Sequence, residues 1–152
     1  MLINKEKTCS FTGHRIIKKD FNIENFDNLL KDLINKGYDT FLIGMAIGFD
    51  MFCFERLLLL KDKNIKIIAC IPCKEQDKKF NKKDKEKYNL LLQMADDKIY
   101  FSETYENGCM FVRNRFMVDN SNVLIAYFYK KMGGTYYTVN YAEKRRKEII
   151  YI

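Results

Sequence analysis

The amino-acid sequence predicts an α/β protein: a single Rossmann-like domain over residues 1–152, with a mostly parallel sheet of five to six strands and helices on both faces. Short β-type runs alternate with helical runs along the chain. The central β-type runs are continuously apolar, as strands covered on both faces must be. A length of 152 residues is that of one domain with one core.

Six short runs rich in β-branched and aromatic residues predict the strands. The first, "KTCSFTG", ends at a glycine, and the third, "NIKIIACIP", is stopped by Pro72, the one proline of the sequence. In chain order the predicted strands cover residues 7–13, 39–44, 64–72, 98–101, 122–128 and 148–152.

Five helices are predicted between these strands. Apolar residues recur at helical spacing from Phe26 to Ile34, and Gly37 is placed to end that helix. Residues 48–61 are apolar on nearly every side, which predicts a well-buried helix. In chain order the helical segments cover residues 26–34, 48–61, 88–95, 109–119 and 133–147.

Glycine and polar residues gather where the predicted strands end. They are Gly13, His14 and Arg15 after the first strand, Gly44, Ala46, Gly48 and Asp50 after the second, Gln76 after the third, and Gly133, Gly134 and Thr135 after the fifth. In parallel α/β sheets, ligands bind beyond the carboxyl ends of the strands. Glycine turns that lead into helices also expose backbone N–H groups, which suit a phosphate. We therefore predict a nucleotide or phosphate site here; the alternative is that each glycine only closes a short loop.

His14 and Asp50 are the candidate catalytic residues. His14 is the single histidine of the chain, and it lies between a glycine and an arginine at a strand end, which favours contact with a ligand. General acid–base catalysis would need a partner carboxylate, and Asp50 is the nearest candidate in this topology. The alternatives are a surface or capping histidine, and an aspartate that caps its helix or binds a ribose hydroxyl.

The five cysteines are interpreted as reduced, structural residues. Cys70 and Cys73 form a CxxC pair that could serve redox chemistry or bind zinc. One histidine and no second CxxC are present to complete a zinc site, so we expect no metal. No apolar run is long enough for a membrane span, and the N-terminus lacks a signal peptide, so we expect a cytoplasmic protein.

The formal net charge of +7 raises the question of nucleic acid as a partner. Seven lysines and four acids lie in residues 74–87, which contain one aromatic residue, Phe80. Because stacking on bases needs aromatic side chains, we interpret this stretch as a solvated helix face with its leading loop and do not expect nucleic acid as the partner.

Five segments in order resemble one family. "FTGHR", "IGMAIGFD", "IPCKEQ", "RNRFMVDNSNVLIAYF" and "GGTYYTVNYA" together resemble the YpsA-like branch of the SLOG superfamily, from about Cys9 to Ala142. The resemblance implies a Rossmann-like fold that binds nucleotides or nucleotide-derived ligands. The superfamily includes LONELY GUY enzymes, which cleave the base from nucleoside monophosphates, and ligand-sensing domains of bacterial defence systems.

The sequence departs from the LONELY GUY pattern at its catalytic glutamate. Arg113 stands four residues before Met117, as the phosphate-facing arginine of those enzymes does, and Asn114 follows it. The glycine loop before Thr135 is shorter by two residues, and Thr138 occupies the place of the glutamate. Threonine cannot supply a negative charge or deprotonate water at neutral pH, so the resemblance does not carry that hydrolysis over.

Three functions remain open on the sequence. The first is a non-catalytic module that senses or sequesters a small nucleotide derivative, such as one related to ADP-ribose, with no further cofactor. The second is an enzyme acting on a nucleotide at its N-glycosidic bond or a phosphate. The third is a nucleic-acid-binding protein, suggested by the charge and by DNA-processing relatives in the superfamily. A homo-oligomer is compatible with each.

Overall fold

The computed structural model describes residues 2–152 as a six-stranded parallel sheet with five α-helices. The strands are β1 Thr8–Gly13, β2 Thr40–Ile43, β3 Lys66–Ile71, β4 Asp97–Tyr100, β5 Val123–Tyr127 and β6 Glu148–Tyr151. The helices are α1 Ile23–Asn35, α2 Phe49–Leu58, α3 Lys82–Met94, α4 Cys109–Asp119 and α5 Gly133–Lys144. The predicted fold class is confirmed.

The order of the strands places a reversal of the chain beside β1. The sheet runs β4-β3-β2-β1-β5-β6, and every neighbouring pair is parallel. The chain moves outward from β1 through β2 and β3 to β4, and then returns to pair β5 with the other side of β1. Ligand sites of open α/β sheets lie at such a reversal, beyond the carboxyl ends of the strands.

The helices cover both faces of the sheet. On one face α1, α2 and α3 enclose the larger core, in which Phe49 contacts the rings of Phe21, Phe26 and Tyr127. On the other face α4 packs Met117 against Leu42, Ile68 and Cys70, while α5 packs Ala142 against Leu124. The strands buried between these layers explain the continuously apolar runs of the sequence.

The helix ends show where local sequence signals decide the structure. Gly37 has φ +104° directly after the C-cap of α1, as its position in the sequence predicts. Asn81 caps α3 by accepting a hydrogen bond from the Asp84 N–H at 2.8 Å, so α3 begins six residues before the predicted helical segment. Among residues 2–152, no helix is long and apolar enough to cross a membrane.

Candidate ligand-binding cleft

A cleft of about 970 Å³ opens beyond the carboxyl ends of the strands, where the chain reverses between β1 and β5. The turns after β1, β2, β3 and β5 form its walls, together with the first turns of α4 and α5. Eleven of the thirteen predicted site residues line it: Gly13, His14, Arg15, Ala46, Asp50, Gln76, Arg113, Asn114, Gly133, Gly134 and Thr135. Gly44 and Gly48 lie outside its lining.

Three of the predicted glycines are required by packing. A Cβ on Gly44 would stand 2.6 Å from Arg113 Nη1 and 2.9 Å from Asp50 Oδ2. A Cβ on Gly13 would stand 2.3 Å from the Phe49 ring. Gly48 has φ +96°, and its Cβ would stand 2.2 Å from the Arg15 carbonyl oxygen. These turns therefore need glycine whether or not a ligand binds.

Gly133 and Gly134 differ from those three because they face open space. In the part of the chain that the structure describes, no atom lies within 4 Å of a Cβ built on Gly133, and one built on Gly134 meets only Asn114 Nδ2, at 3.9 Å. Met132 precedes α5, and within residues 2–152 no side chain accepts from the first N–H groups of this helix. The start of α5 thus presents bare backbone and the positive end of its dipole to the cleft.

Arg113 is buried beneath the cleft, and its guanidinium group is hydrogen-bonded to other residues of the chain. Its Nη1 donates to the carbonyl oxygens of Gly44 and Cys70, the latter at 3.1 Å, and its Nε donates to Asn114 Oδ1 at 2.7 Å. Gln76 Nε2 donates to the same Gly44 carbonyl at 3.1 Å. Arg113 and Gln76 therefore fix the turn after β2, and a direct contact of Arg113 with phosphate stays a prediction.

Asp50 lies beside Arg113 with its carboxylate buried. Burial raises the pKa of Asp50 to about 6, although the charge of Arg113 and the Ala46 N–H, 3.2 Å from Oδ2, act in the opposite direction. Because its pKa is raised, Asp50 is a carboxyl group that can carry a proton near neutral pH.

The turn before Asp50 also contains a strained residue. Met45 is fully buried with φ +65°, a strained backbone conformation for an unbranched apolar residue.

His14 is held as a neutral imidazole. Its Nε2 accepts a hydrogen bond from the Lys130 N–H at 3.3 Å, and its ring meets the Tyr129 ring edge-on with centroids 4.4 Å apart. Burial lowers the pKa of His14, and the charges of Lys130 and Lys18 lower it further. No hydrogen bond joins His14 to Asp50 among residues 2–152, and a catalytic role for either residue stays a prediction.

The rim of the cleft is positively charged. Arg15, Lys78, Lys79 and Lys130 line it, and Glu75 is the one acidic residue there besides the buried Asp50, counting the described residues. The predicted site omitted Lys130, which follows β5 and obeys the same strand-end rule. It also omitted Tyr105, which lies in the loop after β4, and Met110, which lies in the first turn of α4.

Thr138 and the cysteines lie behind or beside the cleft. Thr138 is buried, and its hydroxyl donates to the Gly134 carbonyl at 2.8 Å within α5.

Cys70 is buried in the sheet, where burial raises the pKa of its thiol to about 12. Cys73 lines the cleft and contacts Cys109, so the CxxC spacing does not pair it with Cys70. Within residues 2–152, no three side chains of His, Cys, Asp or Glu are grouped to hold a metal ion.

Comparison with known proteins identifies the family. The family model named YpsA, described as the YspA SLOG family, matches residues 12–152. The chain belongs to this family. UPF0398 protein YpsA of Bacillus subtilis strain 168 is 29% identical over 157 residues, which cover 93% of this chain and 87% of that protein. The SPbeta prophage-derived protein YoqJ of the same strain is 30% identical over 131 residues, 76% of this chain and 77% of that protein.

Two solved structures share the fold of this family member. One is DNA processing protein A of Helicobacter pylori, studied for its single-stranded DNA binding mode, with a TM-score of 0.71 and 18% identity. The other is DNA processing protein A of Streptococcus pneumoniae, with a TM-score of 0.71 and 20% identity. Each match covers 97% of this chain, which spans 65% and 50% of the two proteins, respectively.

These structures correct the expectation that nucleic acid is not a partner. That expectation was wrong, because the fold is shared with a protein that binds single-stranded DNA. It rested on the shortage of aromatic residues in residues 74–87 alone. In the folded chain, Tyr105 lines the same cleft as Lys78 and Lys79, so cations and aromatic rings from separate segments meet at one site.

The packing of Gly48 yields a stability prediction. We expect Gly48→Ala to lower the free energy of unfolding by about 2–5 kcal/mol, since the new methyl group overpacks the Arg15 backbone and the left-handed conformation disfavours alanine. The matched control is Gly134→Ala, whose Cβ enters open space and which we expect to change stability by about 0.5 kcal/mol or less. Urea denaturation measures both, and equal effects would contradict the assignment.

The burial of Asp50 yields a pH prediction. Between its unfolded pKa of about 3.9 and its folded pKa of about 6, the folded protein binds more protons than the unfolded chain. The contribution of Asp50 to the free energy of unfolding therefore falls as pH rises from about 4 to about 6. The fall amounts to about 3 kcal/mol. Asp50→Asn removes this pH dependence, so the free energy of unfolding of the variant minus that of the parent should rise by about 3 kcal/mol between pH 4 and pH 7, whatever its value at pH 4. If the stability difference between variant and parent does not change with pH, the pKa of Asp50 is not raised in the folded protein.

Proposed function

We propose that the cleft binds a nucleotide or nucleotide-derived small molecule, with a phosphate of the ligand at the start of α5. The observation that carries this proposal is the open Gly133–Gly134 pair that begins α5, a helix whose first N–H groups have no side-chain cap within residues 2–152. The N–H groups of such a turn are the standard donors to phosphate oxygens. Arg15 and Lys130 line the same cleft and add positive charge.

The remaining walls suit the rest of a nucleotide. The volume of about 970 Å³ lies at the upper end of the range for small-molecule sites. Apolar side chains of Phe11, Ile47 and Met117 line part of the cleft, while His14 and Gln76 contribute polar atoms. This mixture of an apolar surface with a few fixed polar groups is typical of a site that orients one ligand.

Binding without turnover is the form of this function that the side chains favour. Thr138 stands where a glutamate would be needed for base cleavage of the LONELY GUY type, and its hydroxyl is engaged within α5. His14 accepts from a backbone N–H and does not contact a carboxylate in the described residues. Asp50 remains a single titratable carboxyl group, so mass spectrometry of bound ligands should accompany every binding measurement to detect turnover.

Gly134→Asp tests the phosphate site. The substitution puts a carboxylate where the ligand phosphate would lie, so we expect at least a tenfold loss of affinity, in line with about 1.5–3 kcal/mol for a charge-assisted contact. Isothermal titration calorimetry with ADP-ribose and with nucleoside monophosphates measures the loss. Gly134→Ala is the control for the added side chain, and it should lose less affinity than Gly134→Asp because it brings no negative charge.

Two results would contradict the phosphate site. One is a folded Gly134→Asp protein, with the melting temperature of the parent, that binds these ligands unchanged. The other is a parent protein that binds no phosphorylated ligand from this set.

Single-stranded nucleic acid is a second candidate ligand for the same cleft. The observation that favours it is the shared fold with a protein that binds single-stranded DNA, together with the cationic rim. A chain of phosphates would extend from the cleft over Lys78 and Lys79, which lie on its rim. Binding of this kind releases counterions, so its affinity falls steeply with salt.

The two candidates differ in their dependence on length and charge. If the ligand is a strand, affinity should rise with the length of an oligothymidylate and fall with salt, and Lys78→Glu/Lys79→Glu should weaken it at least tenfold. The control is Lys7→Glu/Lys36→Glu, which makes the same charge change at the opposite edge of the sheet. Fluorescence anisotropy at several salt concentrations measures both. Affinity that is independent of oligonucleotide length would exclude the strand.

A further inference from the structure

A smaller pocket of about 210 Å³ adjoins the cleft at the start of α4. Its lining consists of Tyr105, Asn107, Gly108, Met110, Phe111, Asn114 and Gly134. Four of these residues, Tyr105, Met110, Asn114 and Gly134, also line the large cleft. The two spaces therefore share a wall, and Gly134 of the proposed phosphate site belongs to both.

The walls of the small pocket are aromatic and open to solvent. Tyr105 is 64% exposed, and Phe111 is 42% exposed although its ring packs on Tyr137 with centroids 4.3 Å apart. Gly108 is the N-cap of α4 with φ +84°, and no described atom other than those of its chain neighbours lies within 4 Å of a Cβ built on it, so this part of the lining is open. Exposed aromatic rings around a concave space are suited to stacking a planar ligand.

Asn114 holds a hydrogen-bond donor at the junction of the two spaces. Arg113 Nε donates to its side chain at 2.7 Å, and because Nε–H can only donate, the atom that faces it is Oδ1. The amide NH2 of Asn114 is therefore turned the other way, where it lies 3.9 Å from the Cβ position of Gly134. Arg113 is itself buried and bound to two carbonyl oxygens, so this orientation is fixed.

We propose that the small pocket is a subsite for the planar base of a nucleotide whose phosphate lies at Gly133–Gly134. This inference rests on the proposed function of the large cleft. Its volume is about seven times that of one water molecule in the liquid, which accommodates a base but not a whole nucleotide. Tyr105 supplies the stacking face, and Asn107, which lines the same space, carries an amide able to bind polar atoms at the edge of the base.

The experiment compares ligands that share a phosphate but differ in the base. Calorimetry measures binding of ribose 5-phosphate and of the four common nucleoside monophosphates to the parent, Tyr105→Ala, Tyr105→Phe and the control Tyr151→Ala. Tyr151 is a comparably exposed tyrosine outside both pockets. We expect Tyr105→Ala to lower the affinity for at least one monophosphate about 5- to 100-fold while the affinity for ribose 5-phosphate stays unchanged. Tyr105→Phe keeps the aromatic ring and should bind the monophosphate as the parent does.

A second measurement on the parent does not depend on any variant. In saturation-transfer NMR with a bound monophosphate, the base protons should receive saturation at least as strongly as the ribose protons, because the base contacts the aromatic wall of the pocket. Base protons that receive none would overturn the subsite even if Tyr105→Ala fails to fold.

The remaining outcomes separate this inference from the function on which it rests. A parent that binds ribose 5-phosphate as tightly as every monophosphate, with Tyr105→Ala unchanged, overturns the base subsite and leaves the phosphate site intact. A parent that binds neither overturns both. A parent that sediments as a dimer and becomes a monomer in Tyr105→Ala shows that a second copy covers the pocket, which overturns the subsite as well.

Discussion

The buried guanidinium of Arg113 is the constraint on which the site depends. It joins three separate parts of the chain, since it donates from α4 to the Gly44 carbonyl after β2 and to the Cys70 carbonyl in β3. Asp50 of α2 faces it across the position where Gly44 has no side chain. A buried guanidinium is tolerated only when its N–H groups are hydrogen-bonded, so the carbonyl oxygens of Gly44 and Cys70 and the Asn114 side chain compensate its burial. Arg113 therefore organises the floor of the cleft rather than its open surface.

This arrangement divides the cleft into a rigid floor and an open wall. The floor rests on the turns at Gly13, Gly44 and Gly48, each packed so closely that no Cβ fits, although only Gly13 of the three lines the cleft itself. The open wall is the Gly133–Gly134 turn, where the backbone meets empty space. A ligand that binds the open wall would find donors already in place, so little of its binding energy would be spent on ordering the protein.

The rim and the floor carry different electrostatic properties. On the floor, burial shifts the pKa values of Asp50 upward and of Arg113 downward, so both groups are pushed toward their neutral forms. On the rim, lysines and Arg15 from separate loops are solvated, and their charges attract anions over a distance set by the ionic strength. The same rim would serve a mononucleotide or a strand, and the length of the ligand is therefore what distinguishes the two candidates.

The sequence by itself determined the fold class and the end of α1 at Gly37. It also determined that most of the candidate residues meet at the carboxyl ends of the strands. These features could be predicted because periodicity, caps and strand ends are local properties of the chain. Only the tertiary structure decided which glycines are packed and which are open. It also engaged His14 with Lys130 instead of Asp50, and it brought Tyr105 of the loop after β4 into the cleft. These outcomes depend on contacts between segments far apart in sequence, which no local pattern records.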